Sequence, residues 1–332
     1  MTLRRPFVTA TAVRSSKQTI WVRVVHAGIE GWGEAVPADT YGQSLESAER
    51  TLHAAVPLLE KADPEQPAQV TDALLARFDD QRATVAAIDA ALYDWLGKAR
   101  GQSVMELLGV PAGPIPPTSV TLGIDSPETL AAKAAELAGF PVWKVKIGTA
   151  AESETLALVR RLAPTQRIRV DANTGWTADD ALERLRRVAA FDLELVEQPV
   201  RREDLDTLRR LRAAALCPIV ADESCVVPAD VPRVAGAVDG INIKLSKCGG
   251  ITEARRMISA ARSAGLRVML GCMIESSLGI STAAQLAPLV DWLDLDGHLL
   301  ISDDPFEGLG GAGGVLTPGR AVGLGVWPRA RA

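Results

Sequence analysis

VWKVKIG (142–148), RIRVDANTG (167–175), LELVEQPV (193–200), CPIVADES (217–224) and GINIKLSKCGG (240–250) are short, β-branched runs that each finish on charged or amide side chains. From Lys146 to Asp171, Glu197, Asp222 and Lys244 the steps are 25, 26, 25 and 22 residues, so these groups mark the same point in successive units. TSVTLGI (118–124) precedes the five runs, and RVMLGCMIESS (267–277) and WLDLDG (292–297) come after them. Between them lie stretches of helical periodicity such as 126–139, 177–191 and 251–265, with caps expected at Ser126, Thr177 and Thr252. Eight strand candidates alternating with helices predict an α/β fold that closes as a (β/α) barrel rather than an open sheet.

Upstream of that region, KQTIWVRVVHAGIEGWGEA (17–35) reads as a hairpin turning at Ala27-Gly28. Residues 44–60, 67–79 and 82–99 carry helical spacing, and Ala86, Ala87, Ala90, Ala91 and Trp95 make a small-residue face suited to close packing. The proline-rich VPAGPIPPT (110–118) ends this α+β part. The expected organisation is therefore an α+β capping domain (1–112), the barrel (113–302), and a Gly/Pro-rich segment (303–332) returning to the first domain. That last segment contains G-x-G-x-x-G at Gly308, Gly310 and Gly313, but Val-Leu-Thr-Pro comes after it and no later acid exists, so a dinucleotide site is not expected.

The bulk properties exclude several classes. With 332 residues, 47% hydrophobic and 23% charged, the chain is long enough for a barrel plus a smaller domain. A net charge of −5 without a basic stripe argues against a nucleic-acid partner. Cys217, Cys225, Cys248 and Cys272 form no C-x-x-C pair, which argues against zinc and for a reducing, cytoplasmic compartment. No apolar run is long enough for a membrane span or a leader peptide.

In a (β/α) barrel the chemistry gathers where strands end. Asp171, Glu197 and Asp222 would converge at adjacent strand ends and repel unless a cation neutralised them, and an all-oxygen donor set favours Mg2+. Asn173 would support Asp171 from the same strand face. Lys144 and Lys146, two residues apart, would both point inward and lower each other's pKa, leaving one free to act as a base. Lys244 lies four strands away, across the mouth, so a substrate between the lysines meets a potential base on each side. Asp294 and Asp296 form a second inward pair suited to a substrate ammonium group.

These motifs, K-x-K at Lys144–Lys146, D-A-N at Asp171–Asn173, E-Q-P at Glu197, D-E-S at Asp222 and N-I-K at Lys244, resemble the muconate lactonizing enzyme subgroup of the enolase superfamily over nearly the whole chain. Use of a Lys or His base with Mg2+ is a general feature of that superfamily rather than a reading of this chain. The D-x-D at Asp294–Asp296 and GCMIESS around Cys272 look like its dipeptide epimerases. The resemblance implies a modified (β/α)8 barrel of (β/α)7β type under a capping domain, Lys146 and Lys244 as the acid/base pair, and one Mg2+ per subunit on Asp171, Glu197 and Asp222. It further implies that Asp294 and Asp296 bind the dipeptide's amino group, that Lys144, Ser119 and Cys272 line the pocket, and that Arg14 meets an acidic side chain such as that of Ala-Glu. A homo-oligomer is also expected from it. Shared motifs leave open an N-succinylamino acid racemase, a muconate-type cycloisomerase or an o-succinylbenzoate synthase on the same site, and a barrel that only binds a ligand.

Overall fold

The computed structural model describes residues 1–8, 13–111, 113–318 and 321–330. Ala112, at the expected boundary, and residues 9–12 of the segment leading to Arg14 lie outside the described residues. Two antiparallel hairpins open the chain: β1 (Thr2–Val8) with β2 (Val13–Ser16), and β3 (Ile20–His26) with β4 (Ile29–Ala35). Only the second is expected from the sequence. The β1–β2 pair is largely exposed and carries Arg4, Arg5 and Pro6, so it lacks the apolar alternation that marks a half-buried strand. At the β3–β4 turn Ala27 (φ 50) and Gly28 (φ 78) are both left-handed, as a two-residue type I′ hairpin loop requires.

Helices α1 (Leu45–Leu59), α2 (Pro67–Phe78) and α3 (Arg82–Arg100) come next, close to the expected limits. The alanine face of α3 is small for a reason. Gly31 and Gly33 of β4 lie directly on the Ala91 and Ala87 carbonyls, where any Cβ would collide. After the short α4 (Val104–Leu107) comes the barrel.

Its strands are β5 (Val120–Leu122), β6 (Val142–Lys146), β7 (Arg167–Asp171), β8 (Leu193–Glu197), β9 (Ile219–Ala221), β10 (Gly240–Lys244), β11 (Arg267–Gly271) and β12 (Trp292–Asp294). Each pairs in parallel with the next, and a Thr118–Leu293 bridge with Ser119 N–H donating to the Leu293 carbonyl (3.0 Å) joins the first to the last. Helices α5 (Pro127–Leu137), α6 (Glu152–Leu162), α7 (Ala181–Ala189), α8 (Leu205–Ala213), α9 (Val231–Val234), α10 (Leu245–Cys248), α11 (Ile251–Ser263) and α12 (Ser277–Ala284) alternate with them. Past β12 the helical structure among the described residues is a 3-10 turn, Gly297–Leu300, and no eighth covering helix is found among them. Covered on both faces elsewhere, the strands are almost continuously buried and apolar up to their polar ends.

Helix starts divide into local and tertiary cases. Ser126 caps α5 as expected, its Oγ accepting from Thr129 N–H at 3.3 Å. Thr177 caps only a turn, because α7 begins at Ala181. Thr252 is not a cap at all: α11 starts after Gly250, and Asp89 of α3 reaches across to accept from Thr252 N–H (3.3 Å) and Thr252 Oγ (2.6 Å). Similarly, Glu34 of β4 accepts from Ser276 N–H (3.0 Å), Ser276 Oγ (2.5 Å) and Gly279 N–H (3.2 Å) at the start of α12. Buried acids of the amino-terminal part thus seat it on two barrel helices. The carboxy-terminal segment also reaches that part, with Leu324 N–H donating to Asp94 at 2.8 Å, and Gly308, Gly310 and Gly313 open no helix.

Candidate active site

A cavity of about 210 Å³ lies at the carboxy-terminal mouth of the barrel beneath β1, β2 and the 38–41 loop. Lys146 and Lys244 finish β6 and β10, which stand on opposite sides of the eight-stranded ring, and both line it. Lys144, Asn173, Asp222, Cys272, Asp294, Asp296 and Arg14 also reach the cavity. Asp171, Glu197 and Ser119 do not: they are fully buried beneath it. Ser119, expected on the pocket wall, stands behind Asp294 and donates its Oγ–H to Oδ1 at 2.6 Å. A strand residue's inward direction does not fix its height in the barrel, and Ser119 enters a layer below the rim.

Ammonium groups hold the buried acids together. Lys144 Nζ lies 2.6 Å from Glu197, 2.7 Å from Asp294 and 3.1 Å from Asp171. Lys146 stands 2.7 Å from Asp171, while Lys244 and Lys247 each approach Asp222 at 2.8 Å. Burial alone would lower the Lys144 pKa, but Asp294, Glu197 and Asp171 raise it well above the usual lysine value. For Lys144 this corrects the expectation of a lowered pKa: three carboxylates outweigh one neighbouring cation. Lys244 is likewise raised, against burial, by Asp222 and Glu197. Burial also opposes the charged form of Asp222, yet Lys244 and Lys247 hold its carboxyl well below the carboxylate range.

Not every acid is compensated. Burial, with Asp171 close by, pushes Glu197 up to about 7. Glu223, beside Asp222, is pushed to about 8 by burial and by Asp222. Its Oε2 and the Oδ1 of Asn173 are buried without a hydrogen-bond partner. Asn173 is past the end of β7, at φ 43, and its backbone N–H rather than its side chain holds Asp171 at 2.8 Å. Among the described residues no three His, Cys, Asp or Glu side chains are grouped to share an ion, because lysine ammoniums stand between them. The donor chemistry nevertheless fits a hard divalent cation: the carboxylates offer oxygen donors, and the buried Oε2 of Glu223 and Oδ1 of Asn173 stay unsatisfied.

Asp294 and Asp296 differ. Burial works against the charge on Asp294, but Lys144 holds its pKa well down. Asp296 accepts from Thr121 N–H at 2.7 Å, and burial together with Asp294 pushes it up to about 6. A cation arriving at this pair would stabilise both charges. Cys272 sits against the same strand, its thiol 3.2 Å from the Asp294 carbonyl and pushed up by burial, so it is a packing group rather than a nucleophile.

Sequence reasoning missed several members of the site. Glu223 directly succeeds Asp222, and strand alternation places it on the opposite face, but β9 ends at Ala221 and the chain turns both acids toward cavities. Lys247 comes from the helical turn after β10, where no strand pattern marks it. Lys17 also lines the cavity; burial and then Arg14 lower its pKa. No carboxylate among the described residues forms an ion pair with Arg14 or Lys17, although Lys17 donates to the Pro37 carbonyl at 2.9 Å. Elsewhere, no described helix is long and apolar enough to cross a membrane, and all four cysteines are free.

Comparison with known proteins returns two adjoining family matches. Residues 1–109 match the mandelate racemase / muconate lactonizing enzyme amino-terminal domain, and residues 128–331 match the enolase C-terminal domain-like family. The L-Ala-D/L-Glu epimerase of Bacteroides thetaiotaomicron is 37% identical over 98% of this chain and 85% of its own. Among solved structures, the dipeptide epimerase of Enterococcus faecalis V583 in complex with Mg and L-Leu-L-Tyr superposes with a TM-score of 0.93 at 33% identity, covering 98% of this chain and 96% of that one. An N-succinyl Arg/Lys racemase from Bacillus cereus gives 0.94 at 30% identity, covering 99% and 92%.

Proposed function

Because this chain belongs to the mandelate racemase / muconate lactonizing enzyme family, we propose that it is a Mg2+-dependent dipeptide epimerase that inverts the α-carbon of the carboxy-terminal residue. The observation that carries this reading is the pairing of two lysines on opposite sides of one cavity with two aspartates on its wall. Lysines facing each other suit proton removal on one face and return on the other. Aspartates suit a free ammonium group, which a dipeptide has at its acyl end and an N-succinylamino acid lacks there.

Asp171, Glu197 and Asp222 would hold the ion. Bound there, Mg2+ supplies the positive charge that faces the substrate carboxylate beside the reacting carbon. The residues of this chain do the rest. In the structure Lys146 stands 2.7 Å from Asp171 and Lys244 stands 2.8 Å from Asp222. Once those carboxylates are otherwise compensated, either lysine can give up its proton and serve as base, while the charged one opposite donates. Lys144 keeps its position below them through Asp294 and Glu197. Asp294 and Asp296 hold the amino end, which fixes the α-carbon between the two Nζ atoms. Arg14 and Lys17, two cations without a carboxylate partner among the described residues, favour an acidic side chain on the reacting residue.

We read the chain as a capping domain (1–112), barrel (113–302) and returning segment (303–332), and the scattered free cysteines support a cytoplasmic enzyme. The function is tested by incubating the protein with Mg2+ and a dipeptide panel in D2O and monitoring α-proton exchange by NMR. Exchange at the carboxy-terminal residue, with inversion, is expected for Ala-Glu type substrates. Absence of exchange with every L,L and L,D dipeptide overturns the reading.

A further inference from the structure

We propose that an apolar groove outside β5 receives the side chain of the substrate's amino-terminal residue, so that this enzyme prefers dipeptides whose first residue is large and apolar. The inference rests on the dipeptide-epimerase reading and specifies its substrate class.

The groove, about 420 Å³, exists because β12 leads into a turn and not into a helix. A full (β/α)8 barrel would cover the β12–β5 seam with an eighth helix. Here the chain makes only the Gly297–Leu300 turn, and β1 crosses instead, bridged by Leu3 to Ile301 and accepting from Ile124 N–H through the Val8 carbonyl at 3.0 Å. A strand covers less than a helix, and a trough remains, walled by Val120, Leu137 and Phe140. Charged groups border it: Arg5 is 2.6 Å from Glu136, Lys133 is 2.5 Å from Asp125, and Arg4 lines it as well.

The groove adjoins the catalytic cavity at the end that matters. Phe7, Thr121 and Leu300 line both spaces. Thr121 also donates its N–H to Asp296 at 2.7 Å, so an ammonium group on Asp294 and Asp296 sits beside this shared wall. The carbon bearing that ammonium has two other heavy-atom substituents. Its carbonyl must run inward to the peptide bond and the reacting residue between the lysines. Its side chain is then directed away from them, toward Phe7, Thr121 and Leu300, and a chain of several carbons continues into the groove.

Steady-state kcat/KM for epimerisation, with Mg2+ present, is compared across Gly-, Ala-, Leu- and Phe-initiated dipeptides carrying L-Glu or L-Ala second. Leu and Phe should exceed Ala by about tenfold or more, the order expected when roughly three further carbons leave water. In Leu137→Trp, which narrows the groove, the ratio of Leu to Ala substrates should fall several-fold. Equal or better turnover of Ala, or a preference for a charged first residue, overturns the groove assignment while leaving epimerisation standing. The substrate series needs no variant, so poor folding of Leu137→Trp leaves the result decisive. Loss of exchange with every dipeptide would instead count against the parent reading.

Discussion

Lys144 Nζ bridges Asp294 at 2.7 Å and Glu197 at 2.6 Å, so a single buried ammonium ties the acids expected to hold a cation to the acids expected to hold a substrate amine. The two halves of the site are one electrostatic unit. Removing the charge of Lys144 leaves Glu197, Asp171 and Asp294 buried with less compensation. Lys144→Met should therefore lower the stability of the Mg2+-free protein by about 3–5 kcal/mol, measured by urea denaturation. A midpoint equal to that of the parent protein would show that the acids simply take up protons at no cost.

Asp294 and Asp296 separate the proposed reaction from its nearest rival. An N-succinylamino acid has no ammonium group at its acyl end, where a carboxylate would instead face two acids. Asp294→Asn should reduce dipeptide exchange by about a hundredfold or more, with most of the loss in kcat/KM. Any N-succinylamino acid racemisation would be left largely intact or improved. Assaying both substrate types on one preparation checks this, and retention of dipeptide activity in the variant would remove the aspartates from substrate binding.

Opposed lysines make a prediction that one-base chemistry does not. Lys146→Ala and Lys244→Ala should each abolish inversion, with kcat falling about a thousandfold or more. Each should still wash deuterium into one configuration of the substrate, and the two variants should choose opposite configurations. NMR of the L,L and L,D substrates in D2O resolves this. Exchange of the same configuration by both would place the lysines on one face.

Asp89 gives a stability test outside the site. Burial raises its folded-state pKa from an ordinary 3.8 to about 6, despite hydrogen bonds from Thr252 and Thr71. A carboxyl with a raised folded pKa binds its proton more tightly when folded. Its contribution is thus fully present below about pH 4 and is lost as pH rises through about 6, amounting to about 3 kcal/mol. Asp89→Asn should remove this component, so the difference in urea midpoints between parent and variant changes between about pH 4 and 6 and is flat above. A constant difference across that window would mean that Asp89 does not titrate there.

Much of the barrel is legible because its signals are local. Each strand's β-branched run and each helix's periodicity lie within a dozen residues, and the repeat of Lys146, Asp171, Glu197, Asp222 and Lys244 fixes their common height once alternation is recognised. The β3–β4 turn is equally local, since Ala27-Gly28 carries its own left-handed geometry. Residue order was therefore enough to specify the eight strands, the opposed lysines and the acids between them.

What those groups experience came only from the packed fold. Lys144 is held charged by residues of three other strands, not depressed by Lys146 two residues away, because electrostatic neighbours are set by distance in space. Ser119 backs Asp294 rather than lining the cavity, and Asp89 and Glu34 cap barrel helices from another part of the chain. Glu223 and Lys247 joined the site through turns that break strand alternation. The groove over β5 depends on a helix that does not form, and only the packing of β1 across that seam gives the gap a shape.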